Sequence, residues 1–210
     1  MSLPTKKSLD ARGKACFVPI VETKKLLKTL QDGDIVEVIV DNFITVQNIR
    51  KMAAQMNIPV SSEKLDEVNY IVILTVSKAS FDEAEKSSEK KVYIKGNIAN
   101  KTVVVISSEK IGRGDEKLGL VLMKGFIYCL TEQDILPETI LLYNSGAKLS
   151  VHDSDSLSDL KFLESCDVEI LTCGTSLMHY ALAEKLGVGS VTNMYVIVEK
   201  QMQATNIIAL

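Results

Sequence analysis

Two α/β units in tandem are the architecture this sequence predicts. Three observations lead there. β-Branched runs alternate with amphipathic helical segments in both halves of the 210 residues. Strand candidates of the second half, such as Thr102-Val103-Val104-Val105-Ile106, are continuously apolar, as strands buried in a parallel sheet are. Between the halves, Asp82-Glu83-Ala84-Glu85-Lys86-Ser87-Ser88-Glu89-Lys90-Lys91 is charged and lacks an apolar run, which marks a boundary. The expected division is 1–78, a linker over 79–100, and 101–210. The first half predicts helices on one face of a small sheet, a two-layer sandwich. The second predicts a parallel sheet with helices on both faces, a three-layer α/β domain.

In the first unit, residues 8–10 end a short strand. Pro19 to Leu30 has helical periodicity, with Ile20, Thr23, Leu26, Leu27 and Leu30 on one side. Asp32-Gly33-Asp34 turns the chain into the β-branched strand Ile35–Val40. A second helix is expected over Asn48–Met56, ended by Asn57-Ile58-Pro59, and Tyr70–Val76 is the closing strand. This reading is β-α-β-α-β.

In the second unit, strand 102–106 is followed by a glycine-containing loop, Ile111-Gly112-Arg113-Gly114-Asp115, and a helix over Glu116–Leu130. Strand 139–143 ends in the turn Asn144-Ser145-Gly146, and a helix is expected near 155–164. Strand 168–172 runs into Cys173-Gly174-Thr175-Ser176. Helices near 177–185 and 192–202 and a strand at 206–208 complete the unit.

Composition excludes several functions. With 46% hydrophobic residues, 24% charged residues and a net charge of -3, the chain is not expected to be disordered. Its four cysteines form no CxxC pair, and two histidines are too few for a zinc hydrolase, so neither metal nor cofactor is expected. No secretory signal or apolar stretch of bilayer length is visible, which points to a cytoplasmic protein with reduced thiols. Residues 1–78 hold 11 Lys+Arg against 9 Asp+Glu, a net of +2, and residues 101–210 hold 9 against 14, a net of -5. Neither balance makes a nucleic-acid footprint.

The chemistry concentrates on two cysteines. Cys173 falls where a parallel strand meets a helix, the end of an α/β sheet at which ligands bind. Helix-start N–H groups favour a thiolate there, Gly174 permits a tight turn, and Thr175 or Ser176 can cap the helix. Cys16 precedes the first helix with Arg12 and Lys14 nearby, again a context that stabilises a thiolate. Cys129 and Cys166 read as structural. His179, six residues beyond Cys173, falls on roughly the same helix face.

Asp10-Ala11-Arg12-Gly13, followed by Cys16 and Pro19, resembles the TusA/SirA family of sulfur carriers. The resemblance implies a βαβαββ sandwich with Cys16 as the sulfur-bearing thiol. The second half resembles DsrE/DsrF-like domains through Gly112-Arg113-Gly114-Asp115, Leu122-Met123-Lys124-Gly125-Phe126, Tyr143-Asn144-Ser145-Gly146, Cys173-Gly174-Thr175 and Val191-Thr192-Asn193-Met194-Tyr195. The combination resembles the long, two-domain form of the selenium-metabolism family YedF. That resemblance implies persulfide transfer between thiols, sulfur-donor and acceptor proteins as partners (a cysteine desulfurase among the donors), and homo-oligomers formed through residues 101–210. Asp10, Arg12, Gly13 and Pro19 would support Cys16. Gly174, Thr175, Ser176 and His179 would support Cys173. Two positions depart from the families. Cys16-Phe17-Val18-Pro19 stands where the carriers have Cys-Pro-x-Pro, and Ser176 stands where the long form has a second cysteine. A non-catalytic binding or regulatory module with an eroded carrier motif is the alternative.

Overall fold

The structure is a computed structural model that describes residues 4–15, 17–77 and 101–210. Cys16 and the expected linker over 79–100 lie outside the described residues. The chain divides into two units, residues 1–90 and 91–210.

The first unit runs β1 (Lys6–Asp10), α1 (Val18–Leu27), β2 (Ile35–Val40), α2 (Phe43–Gln55), β3 (Val60–Lys64) and β4 (Tyr70–Thr75). The sheet order is β1-β2-β4-β3, with β1 parallel to β2 and both other pairings antiparallel. Val36, Val38 and Val40 of β2 and Val72 and Leu74 of β4 point to one face, where Leu27 of α1 and Ile49, Met52 and Ala53 of α2 cover them. This is the two-layer βαβαββ sandwich. α2 begins five residues before the expected Asn48. The run Phe43-Ile44-Thr45-Val46 carries strand-like residues, but Asn42 caps it by accepting the Thr45 N–H at 2.8 Å, and that cap starts a helix. β3 was not legible in the pattern because Val60-Ser61-Ser62-Glu63-Lys64 is a half-exposed edge strand with one apolar residue.

The second unit runs β5 (Thr102–Ile106), α3 (Glu116–Thr131), β6 (Thr139–Leu142), a 3-10 segment over Asn144–Ser150, α4 (Leu157–Ser165), β7 (Glu169–Cys173), α5 (Gly174–His179), β8 (Ser190–Thr192), α6 (Met194–Gln203) and β9 (Asn206–Ala209). All five strands are parallel, in the order β8-β7-β6-β5-β9. Val104, Ile106, Ile140, Leu142 and Ile170 meet α3 and α4 on one face. Val103, Val105, Leu141, Leu171 and Cys173 meet Ile197 of α6 on the other. A buried face on each side of the sheet makes three layers, which explains the continuously apolar strands.

Three details differ from expectation. The helix after Cys173 starts at Gly174 and stops at His179, because Ala181 takes a positive φ of 54° and breaks it. Strand β8, three residues long, precedes the last helix, which Asn193 caps through the Val196 N–H at 3.1 Å. Asn144-Ser145-Gly146 opens a 3-10 segment instead of a simple turn. Among the described residues no helix is long and apolar enough to cross a membrane.

Candidate functional site: two cysteine loops

The loop from β1 to α1 carries the chain into Cys16, and it is pinned at several points. Asp10 grips Arg12 as a fork, with Nε at 2.9 Å and Nη2 at 2.6 Å, and it also accepts the Arg12 N–H. The Arg12 guanidinium holds the Asp10 carboxyl down at about 2. Gly13 sits at a positive φ of 70° and donates its N–H to Asp41 Oδ2 at 2.6 Å. Lys14 pairs with Glu22 on α1 at 2.6 Å. The buried Ala11 donates to the Ile39 carbonyl of β2 at 2.9 Å. The Asp10 hydrogen bonds and charge raise the Arg12 guanidinium, with smaller additions from the charges of Asp66 and Asp41.

Sequence inspection found Asp10, Arg12 and Gly13 but missed Asp41, Glu22 and Asp66. Asp41 comes from the β2–α2 connection, Glu22 from α1 and Asp66, through its charge on Arg12, from the β3–β4 hairpin, so only the fold brings them there. Pro19 lies in the first turn of α1 and is buried, and Phe17 is the N-cap position, where its carbonyl accepts the Val21 N–H at 3.2 Å but its side chain makes no cap. Pro19 also holds the helix start through its carbonyl, which accepts the buried Thr23 hydroxyl at 2.6 Å.

Cys173 ends β7 and is itself the N-cap of α5, so Thr175 and Ser176 lie inside the first turn instead of capping it. Cys173 is 2% exposed and packs with Leu171 and Ile197. Burial pushes the thiol up. The N–H and hydroxyl of Ser176, then those of Thr175, outweigh that and hold it below its ordinary value. Because α5 spans six residues, these specific donors carry the effect, not a long helix dipole.

Ser176 is in turn fixed from outside the helix. Its Oγ accepts the Asn144 N–H at 2.8 Å, and the Asn144 side-chain oxygen accepts the Tyr180 hydroxyl at 3.0 Å. Gly174 has no room for a side chain: a Cβ there would stand 2.9 Å from Val191 Cγ1. Thr175 is exposed. His179 is exposed and stands edge-on to the Tyr180 ring at 4.8 Å, so it belongs to the Tyr180 side of the site. Asn144 and Tyr180 were missed as site residues because they are 29 residues before and seven residues after Cys173, joined only by the loop geometry.

A two-layer βαβαββ sandwich with a pinned β1–α1 loop places the first unit among small α/β domains. Residues 7–76 match the family model described as Sulfurtransferase TusA. The chain belongs to this TusA sulfur-carrier family through its first unit. A Methanocaldococcus jannaschii protein named as a proposed sulfur carrier is 40% identical over 47 residues, which cover 22% of this chain and 63% of that one. A Thermotoga maritima protein with the same kind of name is 34% identical over 93 residues, covering 42% of this chain and 89% of its own length. Among solved structures, a SirA-like protein from Desulfitobacterium hafniense is 33% identical over 34% of this chain and 97% of that one, with a TM-score of 0.33. The ychN protein from E. coli covers 52% of this chain and 99% of its own at 14% identity, with a TM-score of 0.42.

Proposed function

We propose that this chain passes persulfide sulfur between cysteine thiols, with Cys16 as the carrier and Cys173 as a second acceptor or relay. The observation that carries the reading is the family match over residues 7–76, which contains Cys16 and the loop Asp10–Ala15 held by Asp10, Asp41 and Glu22. In the step proposed, the Cys16 thiolate attacks the outer sulfur of a donor persulfide. The donor's S–S bond breaks, the donor leaves as a thiolate, and Cys16 keeps the sulfur as its own persulfide. An acceptor thiolate then repeats the attack on Cys16. The persulfide keeps its sulfur oxidation level throughout, so no external oxidant is needed.

The natural partners under this reading are a persulfide-forming donor of the cysteine desulfurase kind and a thiol-bearing acceptor, in a cytoplasmic setting. The link to selenium metabolism rests on the YedF resemblance of the two halves together. The same resemblance, through the DsrE-like second unit, supports a homo-oligomer. Leu118 and Leu122 of α3 are 56% and 45% exposed, apolar surface outside the core that a second copy could cover.

The burial of Cys173 and the presence of Phe17 favour a second reading, in which the chain binds partners without loading sulfur. Mass spectrometry after incubation with a cysteine desulfurase and cysteine separates the two. The expected result is one added sulfur mass on the wild type, lost in Cys16→Ala and kept in Cys129→Ala. If no cysteine gains sulfur, the transfer reading fails and the binding reading replaces it.

A further inference from the structure

The carboxyl end of the second unit's sheet holds a cleft of about 540 Å³ that sulfur transfer does not use. Open parallel α/β sheets bind ligands beyond this end of their strands, and the volume suits a small molecule. Leu120, Val121 and Leu149 give it an aliphatic wall. Its charges have both signs, and its two lysines differ. Lys148 is committed, with Nζ 2.7 Å from Glu109 and 5.1 Å from the centre of the Tyr180 ring. Lys124 Nζ stands 3.9 Å from Asp155 Oδ2, beyond hydrogen-bond distance, with the two side chains 55% and 88% exposed. Such an exposed, long pair contributes little by itself. A ligand bearing both an ammonium and a carboxylate replaces that one long contact with two short charge-assisted bonds.

Tyr180 joins this cleft to Cys173. Its ring lines the cleft while its hydroxyl donates to Asn144. Asn144 is held at a positive φ of 51°, a strained conformation that persists at sites whose surroundings over-determine it. Its N–H donates to Ser176 Oγ at 2.8 Å, and Ser176 lies in the first turn of the helix that Cys173 caps.

We propose that the cleft binds a small zwitterion of the α-amino-acid class, with its carboxylate on Lys124, its ammonium on Asp155 and an unbranched apolar side chain along Leu120, Val121 and Leu149, and that occupancy is read at Cys173 through Tyr180, Asn144 and Ser176. The second half rests on the reading of Cys173 as a working thiol, whereas the binding half does not. A ligand that reaches the Tyr180 ring in the cleft wall restrains it, so that its exposed hydroxyl bond to Asn144 is made more of the time and Asn144 is held on Ser176 beside Cys173. By linkage, the state of Cys173 alters the ligand's affinity by the same factor.

Calorimetric titration of the full chain with L-methionine and L-norleucine tests the site. Saturable binding of both is expected, at least about tenfold tighter than pentylamine or hexanoate, which carry one charge each, and about tenfold weaker in Lys124→Ala. Peptide-resolved iodoacetamide labelling tests the coupling. Saturating L-norleucine should raise the Cys173 rate about fivefold, and Tyr180→Phe should keep the binding and lose the rise. No binding, or equal binding of the single-charge compounds, overturns the ligand assignment. Binding with an unchanged or lowered Cys173 rate overturns the coupling. Both results are independent of the desulfurase loading that tests sulfur transfer.

Discussion

Replacing Ser176 with alanine isolates the hydroxyl's share among the donors that lower the Cys173 thiol, because the Ser176 N–H and the Thr175 donors remain. The hydroxyl oxygen accepts the Asn144 N–H at 2.8 Å, and the hydroxyl is one of the Ser176 and Thr175 groups that lower the buried thiol. A hydrogen bond to a charged group contributes about 1.5–3 kcal/mol, so without the hydroxyl the thiol should titrate higher, while the Ser176 N–H and the Thr175 donors still hold it down. Less thiolate at neutral pH slows alkylation, but a more basic thiolate is also more nucleophilic, with a Brønsted slope of about 0.4–0.5 that offsets about half of the lost energy. The two effects together leave a net slowing of about three- to tenfold near pH 7. The assay is the pH profile of iodoacetamide labelling at Cys173, resolved by peptide mass spectrometry. Its inflection reports the pKa directly and separates this effect from a change in access, which would lower the rate at every pH without moving the inflection. Ser176→Thr keeps the hydroxyl and should restore most of the shift. An inflection that stays in place in Ser176→Ala would refute the argument that this hydroxyl helps to lower the thiol.

Three further outcomes follow from the geometry. Gly146→Ala would place a Cβ 2.2 Å from the Ile106 carbonyl oxygen and 3.0 Å from its carbon, both backbone atoms, so the 3-10 segment must move. Overpacking of this kind costs about 3 kcal/mol, which should appear as a lowered urea midpoint by circular dichroism, with slower Cys173 labelling as Asn144 shifts. Asn42→Ala removes the oxygen that accepts both the N–H and the hydroxyl of Thr45, and loss of such a cap costs about 1 kcal/mol, measurable in the same urea titration. Acid should weaken the first unit. Asp10, Asp34, Asp41 and Asp66 all have their carboxyls lowered by hydrogen bonds, so their contribution is complete above the ordinary carboxylate value and is lost as pH falls through the lowered ones, about 2 for Asp10. Urea midpoints should therefore drop between about pH 4 and pH 2, and Arg12→Ala should flatten the part of that drop due to Asp10.

What the sequence determined by itself was whatever rests on local pattern. Alternating β-branched residues at Ile35–Val40, the continuous apolar runs at 102–106 and 139–142, and the helical spacing of 116–130 each report how one segment meets a core. Those signals were enough for two α/β units and for parallel strands in the second. Cys173 at a strand end was likewise legible, because the strand, the glycine and the following helix are neighbours in the chain. Segments with weak burial were not legible: β3 is an edge strand of serines and charges, and β8 has three residues, so neither carries a period to read. The caps at Asn42 and Asn193 overrode strand-like or ambiguous residues because a filled N–H at the first turn outweighs weak propensity. The tertiary structure alone decided the surroundings of both cysteine loops. Asp41 reaches Gly13 across 28 residues and Asn144 reaches Ser176 across 32, distances in sequence over which composition and spacing carry no information. It also decided that Cys173 is covered, since its side chain follows Leu171 onto the sheet face that α6 packs, and which face a strand's last residue joins depends on what the rest of the fold lays against it.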